Sequence, residues 1–168
     1  MGGSGSVERV SADELLAARP NPAPIDADLG HLPARKLAIV TCMDVRIPPL
    51  DSFGLKLGDA HVIRNAGAAV TDDVIRSVAI SQHKLGSRTV FLMAHTGCGM
   101  ATFSDDDFVA ELTEAAGQQP TWRPRTFTDP ADHVRAGLVA LKSNAFLHPD
   151  TEARGFVIDL KTGAVDEV

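Results

Sequence analysis

Apolar residues along this chain gather in short runs, and between the runs they recur every three or four positions. The run Lys36-Leu37-Ala38-Ile39-Val40-Thr41 predicts a strand covered on both faces. Similar runs predict strands over 60–64, 89–94 and 155–160. Thr71-Asp72-Asp73 reads as an N-cap with acids in the first turn. Val74, Ile75, Val78, Ala79 and Leu85 then follow at helical spacing, and Gly86 stops the helix. Ser104 before Asp105-Asp106-Asp107 caps a further helix that ends at Gly117. Asp129-Pro130 opens another through about 147, proline being suited to the first helical position. Pro48-Pro49 leaves room for a short helix over 49–54, and Lys161-Thr162-Gly163 reads as the turn of a terminal hairpin.

Upstream, residues 1–10 read as a flexible tail. Ser11-Ala12-Asp13-Glu14 is a capping-box pattern that predicts a helix over about 12–19. Pro20, Pro22 and Pro24 then predict an extended arm over 20–34. The expected organisation is an N-terminal tail, helix and Pro-rich arm over 1–34, followed by an α/β domain over 35–168. Strands alternating with helices predict a single α/β domain with a mainly parallel central sheet flanked by helices.

The composition narrows the function classes. The chain of 168 residues has 16 Lys+Arg and 22 Asp+Glu, a net charge of −6. There is no basic excess to neutralise phosphates, so nucleic acid is not an expected partner. The longest apolar run, Val90 to Ala94, falls far short of the roughly 20 residues that span a bilayer. Met1-Gly2-Gly3-Ser4-Gly5-Ser6 fits a myristoylation pattern and fits a flexible tail equally well. With no apolar signal-peptide core at the N-terminus, a cytoplasmic location is expected. Ser104 and the acidic triplet after it lack the alternating ligands and glycine of a calcium loop, so the acids are assigned to the helix dipole.

Two cysteines could form a disulfide, pack as small hydrophobes or bind metal, and counting leaves all three open. In open parallel sheets, function collects just past the carboxyl ends of the strands. Two such ends are informative: Thr41-Cys42-Met43-Asp44-Val45-Arg46 and His95-Thr96-Gly97-Cys98-Gly99. His95 and Cys98 are close enough in sequence to share an ion, and Cys42 completes the set if the strands are neighbours. Two thiolates and an imidazole suit zinc, and three protein ligands leave a fourth position open, as in catalytic sites. Two thiolates also cancel the charge of zinc, so a nearby group that holds the activated water would help. Asp44 can accept its hydrogen bond, and Arg46 can grip Asp44 in a bidentate pair that keeps it ionised. A water so activated is a nucleophile for a small electrophilic carbon. Gly97 and Gly99 are candidates to line the substrate pocket.

With these residues in place, the sequence resembles the β-class carbonic anhydrases. Cys42-x-Asp44-x-Arg46 followed by His95-x-x-Cys98 looks like that family's zinc and dyad signature. Arg64-Asn65-Ala66-Gly67 is also similar, and the likeness runs from about 36 to 116. Thr71-Asp72-Asp73-Val74-Ile75-Arg76-Ser77 and Thr102-Phe103-Ser104-Asp105-Asp106-Asp107-Phe108 resemble the short, single-domain members. The resemblance implies one Zn2+ per chain on Cys42, His95 and Cys98, with Asp44 and Arg46 as the catalytic dyad. It implies hydration of carbon dioxide to bicarbonate. Carbonyl sulfide hydrolysis is the alternative, because relatives with that activity share the signature. It also implies a homodimer or larger assembly in which residues 11–34 embrace the partner. There are departures: position 97 is Gly where relatives often carry a polar residue, and the chain has no tyrosine. His61, His83 and His133 are read as packed or surface residues, with a proton-shuttle role open to one of them. Trp122 is read as a packing or interface anchor.

Overall fold

The computed structural model describes residues 10–18 and 28–168. Residues 1–9, where a myristoylation pattern and a flexible tail fit equally well, and most of the expected arm, including Pro20, Pro22 and Pro24, lie outside the described residues. The elements are α1 (Ala12–Ala18), β1 (Leu37–Cys42), β2 (Ala60–Asn65), α2 (Asp72–His83), β3 (Thr89–His95), α3 (Asp105–Ala116), α4 (Pro130–Lys142), β4 (Glu152–Ile158) and β5 (Val165–Glu167). Short 3-10 turns cover Asp51–Phe53, Ala66–Ala68 and Gly99–Ala101.

The five strands form one sheet in the order β2-β1-β3-β4-β5. The pairs β1–β2, β1–β3 and β3–β4 are parallel, and β5 returns antiparallel to β4 as the expected terminal hairpin. The single α/β domain with a mainly parallel sheet is the architecture that the alternating pattern predicts. All six residues of β1 are buried, which explains why its run carries no polar alternation.

The caps follow the sequence. Ser11 and Glu14 exchange bonds at the start of α1: the Ser11 backbone N–H donates to Glu14 Oε2 (2.8 Å), and the Glu14 N–H donates to Ser11 Oγ (3.2 Å). Ser104 Oγ accepts from the Asp107 N–H at 3.1 Å, and Asp129 caps α4 by accepting from the Asp132 N–H at 2.8 Å. Two boundaries differ from expectation. α4 ends at Lys142 rather than near 147, because the Asn144 side chain accepts from the Phe146 N–H and turns the chain out of the helix. β4 covers 152–158 rather than 155–160. It starts early because Glu152 pairs with Thr89, and it stops where Asp159 accepts from the N–H groups of Lys161 and Thr162.

On one face of the sheet, Val74 and Val78 of α2 and Val134 and Leu141 of α4 pack on Val40, Val90, Leu92 and Ala94. On the other face Phe53, Phe91 and Phe156 pack as tilted, edge-to-face rings with centroids 4.8–5.0 Å apart. That face continues through Met93 and Ile158 to Cys42 and Cys98. α4 lies close enough to β4 that a methyl group on Gly155 would overlap Val134 Cγ1 and come within 2.8 Å of Leu138 Cδ1. G155A is therefore expected to destabilise the fold by about 1–3 kcal/mol through overpacking, read as a lower urea midpoint at unchanged slope.

Candidate metal centre

β1 and β3 are adjacent and parallel, with Thr41 opposite Met93, so their carboxyl ends emerge side by side. The buried Thr41 hydroxyl donates to the Met93 carbonyl at 2.9 Å and locks that register near the end of the pair. The result brings Cys42 Sγ to 3.9 Å from Cys98 Sγ. Cys42, His95 and Cys98 are all buried, and their donor atoms lie within 4.8 Å of one another. Both thiols are free, so the disulfide is set aside.

His95 Nδ1 donates to the Thr96 carbonyl at 3.1 Å, which leaves Nε2 as the lone-pair nitrogen. That Nε2 is buried and has no hydrogen-bond partner. Buried polar atoms are almost always satisfied, so an unpartnered imidazole nitrogen facing two thiols fits a cation-binding set. Burial pushes the Cys98 thiol up and the His95 imidazole down. Each shift disfavours the charged form, and a cation among the donors offsets the cost of burying thiolates. The donor set therefore fits a soft divalent metal.

Asp44 follows one residue beyond Met43, whose N–H continues the β1–β2 pairing by donating to the Asn65 carbonyl at 2.8 Å. Arg46 donates to Asp44 through Nε (2.8 Å), Nη2 (2.6 Å) and its backbone N–H (3.0 Å). This bidentate pair holds the Asp44 carboxyl well below the usual carboxylate range. Asp44 Oδ2 lies 3.8 Å from His95 Nε2, so the carboxylate borders the donor group. The five residues expected at the site thus come together. Gly99 lines the cleft beside Cys98. Gly97 is not among the lining residues; its contribution is a carbonyl that accepts from Arg46 Nη2 at 3.1 Å.

The cleft in front of the donors has a volume of about 770 Å³ and mostly apolar walls, with Ile63, Val74, Met100, Phe103, Phe108 and Trp122 among them. Several of these residues were not singled out by sequence, since an apolar side chain at a rim carries no motif. Loop 118–129 brings Trp122 there because Asp105 accepts from the Thr126 N–H and Oγ1, both at 2.7 Å, and Arg123 pairs with Asp105 and Asp106. The acidic triplet's first two members thus pin a loop as well as opening the helix. His61, His83 and His133 are not among the cleft-lining residues. His61 bonds Ser81 (2.7 Å), and His83 bonds the Phe146 carbonyl (3.0 Å). His133 stacks on Phe127 and donates to the Gly67 carbonyl at 2.9 Å. Gly67 has φ +77°, and a Cβ there would press on Met100 and Phe127 at 3.1 and 3.2 Å.

The fold and the donor group define a class. The model of the carbonic anhydrase family matches residues 37–165, and the chain belongs to this family of enzymes, in its β class. It is 49% identical over 136 residues to β-carbonic anhydrase 1 of Mycobacterium tuberculosis, a match covering 81% of this chain and 83% of that protein. Among solved structures it resembles the carbonic anhydrase of Streptococcus mutans, with a TM-score of 0.77 and 40% identity over 82% of this chain and 83% of the other. A carbon disulfide hydrolase of Acidianus is 40% identical over 87 residues, covering 52% of this chain and 42% of the hydrolase. No helix among the described residues is long and apolar enough to cross a membrane.

His133 supports the cleft through Gly67, and its titration is testable. Burial lowers its pKa from the ordinary 6.5, so the unfolded chain takes up the proton first as pH falls. Neutral His133 contributes stability in full above about pH 6.5 and loses it as pH falls through the lower folded value. Between about pH 7 and pH 5 the wild type is expected to lose more Tm than H133Q in thermal melts. Equal losses would show that His133 does not titrate with folding.

Proposed function

We propose that the chain hydrates carbon dioxide to bicarbonate with one zinc ion held by Cys42, His95 and Cys98. The observation that carries the reading is the buried, unpartnered His95 Nε2 facing two buried thiols, with the Asp44 carboxylate 3.8 Å away. Bound zinc would supply the lowered water pKa that makes a nucleophile available near neutral pH.

The chain's own residues do the rest. Asp44 is ionised and can only accept, so it orients an attacking water by taking a hydrogen bond from its proton. Arg46 holds that carboxylate in a fixed plane and is itself anchored on the Gly97 carbonyl. The apolar cleft wall receives an uncharged substrate and limits competing water. Gly99 borders the reacting centre beside Cys98.

Carbonyl sulfide is a second reading. It is favoured by the likeness to carbon disulfide hydrolases and by the apolar wall, which suits a larger, more polarisable linear molecule equally well. The two gases present the same central carbon, so wall shape decides between them.

The cleft is far larger than a triatomic substrate needs, and Leu15, Leu16 and Trp122 are more than half exposed. These observations support a homodimer or larger assembly in which residues 11–34 act as an arm across the partner's 35–168 domain. Two free thiols suit a reducing cytoplasm.

Four measurements test this reading. Zinc analysis is expected to find one ion per wild-type chain and a large deficit in C98S. D44N is expected to keep its zinc and lose about 10²–10⁴-fold in kcat/KM for hydration, the range for a lost proton-handling group; normal turnover would remove Asp44 from the mechanism. On one preparation, hydration far faster than sulfide release from carbonyl sulfide is expected, and the reverse order would make carbonyl sulfide the substrate. Light scattering is expected to give at least twice the 17.8 kDa chain mass.

A further inference from the structure

Arg64 belongs to the Arg64-Asn65-Ala66-Gly67 stretch, and the mechanism above gives it no task. It is the fifth residue of β2, paired across the sheet with Thr41. Arg64 is among the residues lining the cleft, and its guanidinium reaches into the segment that follows β1. Nε donates to the Cys42 carbonyl at 3.0 Å, Nη2 to the Asp44 carbonyl at 2.5 Å, and Nη1 to the Ile47 carbonyl at 3.4 Å. One side chain thus bonds the backbone of a metal-donor residue, of the dyad carboxylate and of the residue that ends the turn.

The 44–47 segment has left the sheet. Within itself it has the Ile47 N–H on the Asp44 carbonyl (3.2 Å) and the Arg46 N–H on Asp44 Oδ1 (3.0 Å). Val45 is almost fully exposed and offers no packing anchor. The Arg46 guanidinium fastens the segment to β3's end at Gly97, and Arg64 fastens it to β2. The two arginines divide the work: Arg46 holds the carboxylate, and Arg64 holds the peptide units that aim it. A planar fork with donors spread over three nitrogens can span three carbonyls, whereas an ammonium is a single point.

We propose that Arg64 is a positioning residue for the reaction, fixing the 42–47 backbone so that Asp44 stays paired with Arg46 beside the donor group. This rests on the functional reading above for its kinetic consequence, and on the three carbonyl bonds for its structural one.

The test uses zinc-loaded full-length protein and two readouts. In kinetics, R64Q is expected to lower kcat/KM for hydration about 10–100-fold, the usual scale for losing a group that orients a metal site. R64K, keeping the charge but with its donors on a single nitrogen, is expected to fall between. In the D44N background, R64Q is expected to change kcat/KM less than about twofold, because the route through Asp44 is already gone. By NMR, the Arg46 Nε–H resonance, assigned by its disappearance in R46K, is expected to move toward that of a solvated arginine in R64Q, with signals of the β3–β4 core unmoved. A kcat/KM for R64Q within twofold of wild type, an equal loss in the D44N background, or an unmoved Arg46 signal each overturns the proposal. Should R64Q fail to fold by circular dichroism, R64K carries the same comparisons. An inactive wild type would refute the functional reading, and the NMR readout would still decide whether Arg64 positions Asp44.

Discussion

The parallel pairing of β1 with β3 is the constraint on which the site depends. Its register, closed by the Thr41 hydroxyl on the Met93 carbonyl, ends both strands at the same level. The chain leaves β1 at Cys42 and β3 at His95, and the turn after His95 brings Cys98 back to the same spot. A slip of one residue would turn Cys42 to the opposite face of the sheet and separate the donors. Since β1 is buried on both faces, such a slip would move its large and small side chains into mismatched sites in two packed cores, so close packing rather than polar alternation holds the geometry of the donor group.

Around that pairing, the electrostatics are arranged in layers. Two buried thiols and an unpartnered imidazole nitrogen form a donor set whose burial is unfavourable unless a cation joins it. Next to it lies a carboxylate that an arginine keeps ionised. Outside both is a second arginine bonded only to backbone carbonyls of the loop. The polar groups converge on one end of the cleft, and the remaining wall is largely aromatic and aliphatic. A small uncharged substrate thus meets a polar end within an otherwise apolar space.

Much of this was legible in the chain because strand periodicity, caps and motif residues are local signals. The Ser11–Glu14 capping box, the Ser104 and Asp129 caps and the four parallel strands all appear where the pattern places them. The ends that moved did so for reasons outside their own periodicity. Asn144 turns α4 out early, and pairing with Thr89 draws β4 back to Glu152. The cleft wall was illegible for a related cause. Phe103, Phe108, Trp122 and Met100 are ordinary apolar residues until Asp105 and Arg123 tie loop 118–129 against α3.

Taken alone, the sequence determined the class of fold, the strand ends at which chemistry collects and the residue types able to bind metal there. Those follow from periodicity and from side-chain chemistry, which do not depend on distant neighbours. Only the tertiary structure decided that the two cysteines stand 3.9 Å apart as free thiols, that Gly97 serves through its carbonyl, and that Arg64 reaches three carbonyls across the sheet. Each of these is a contact between segments far apart in the chain, and strand order and register, not local propensity, bring such segments together.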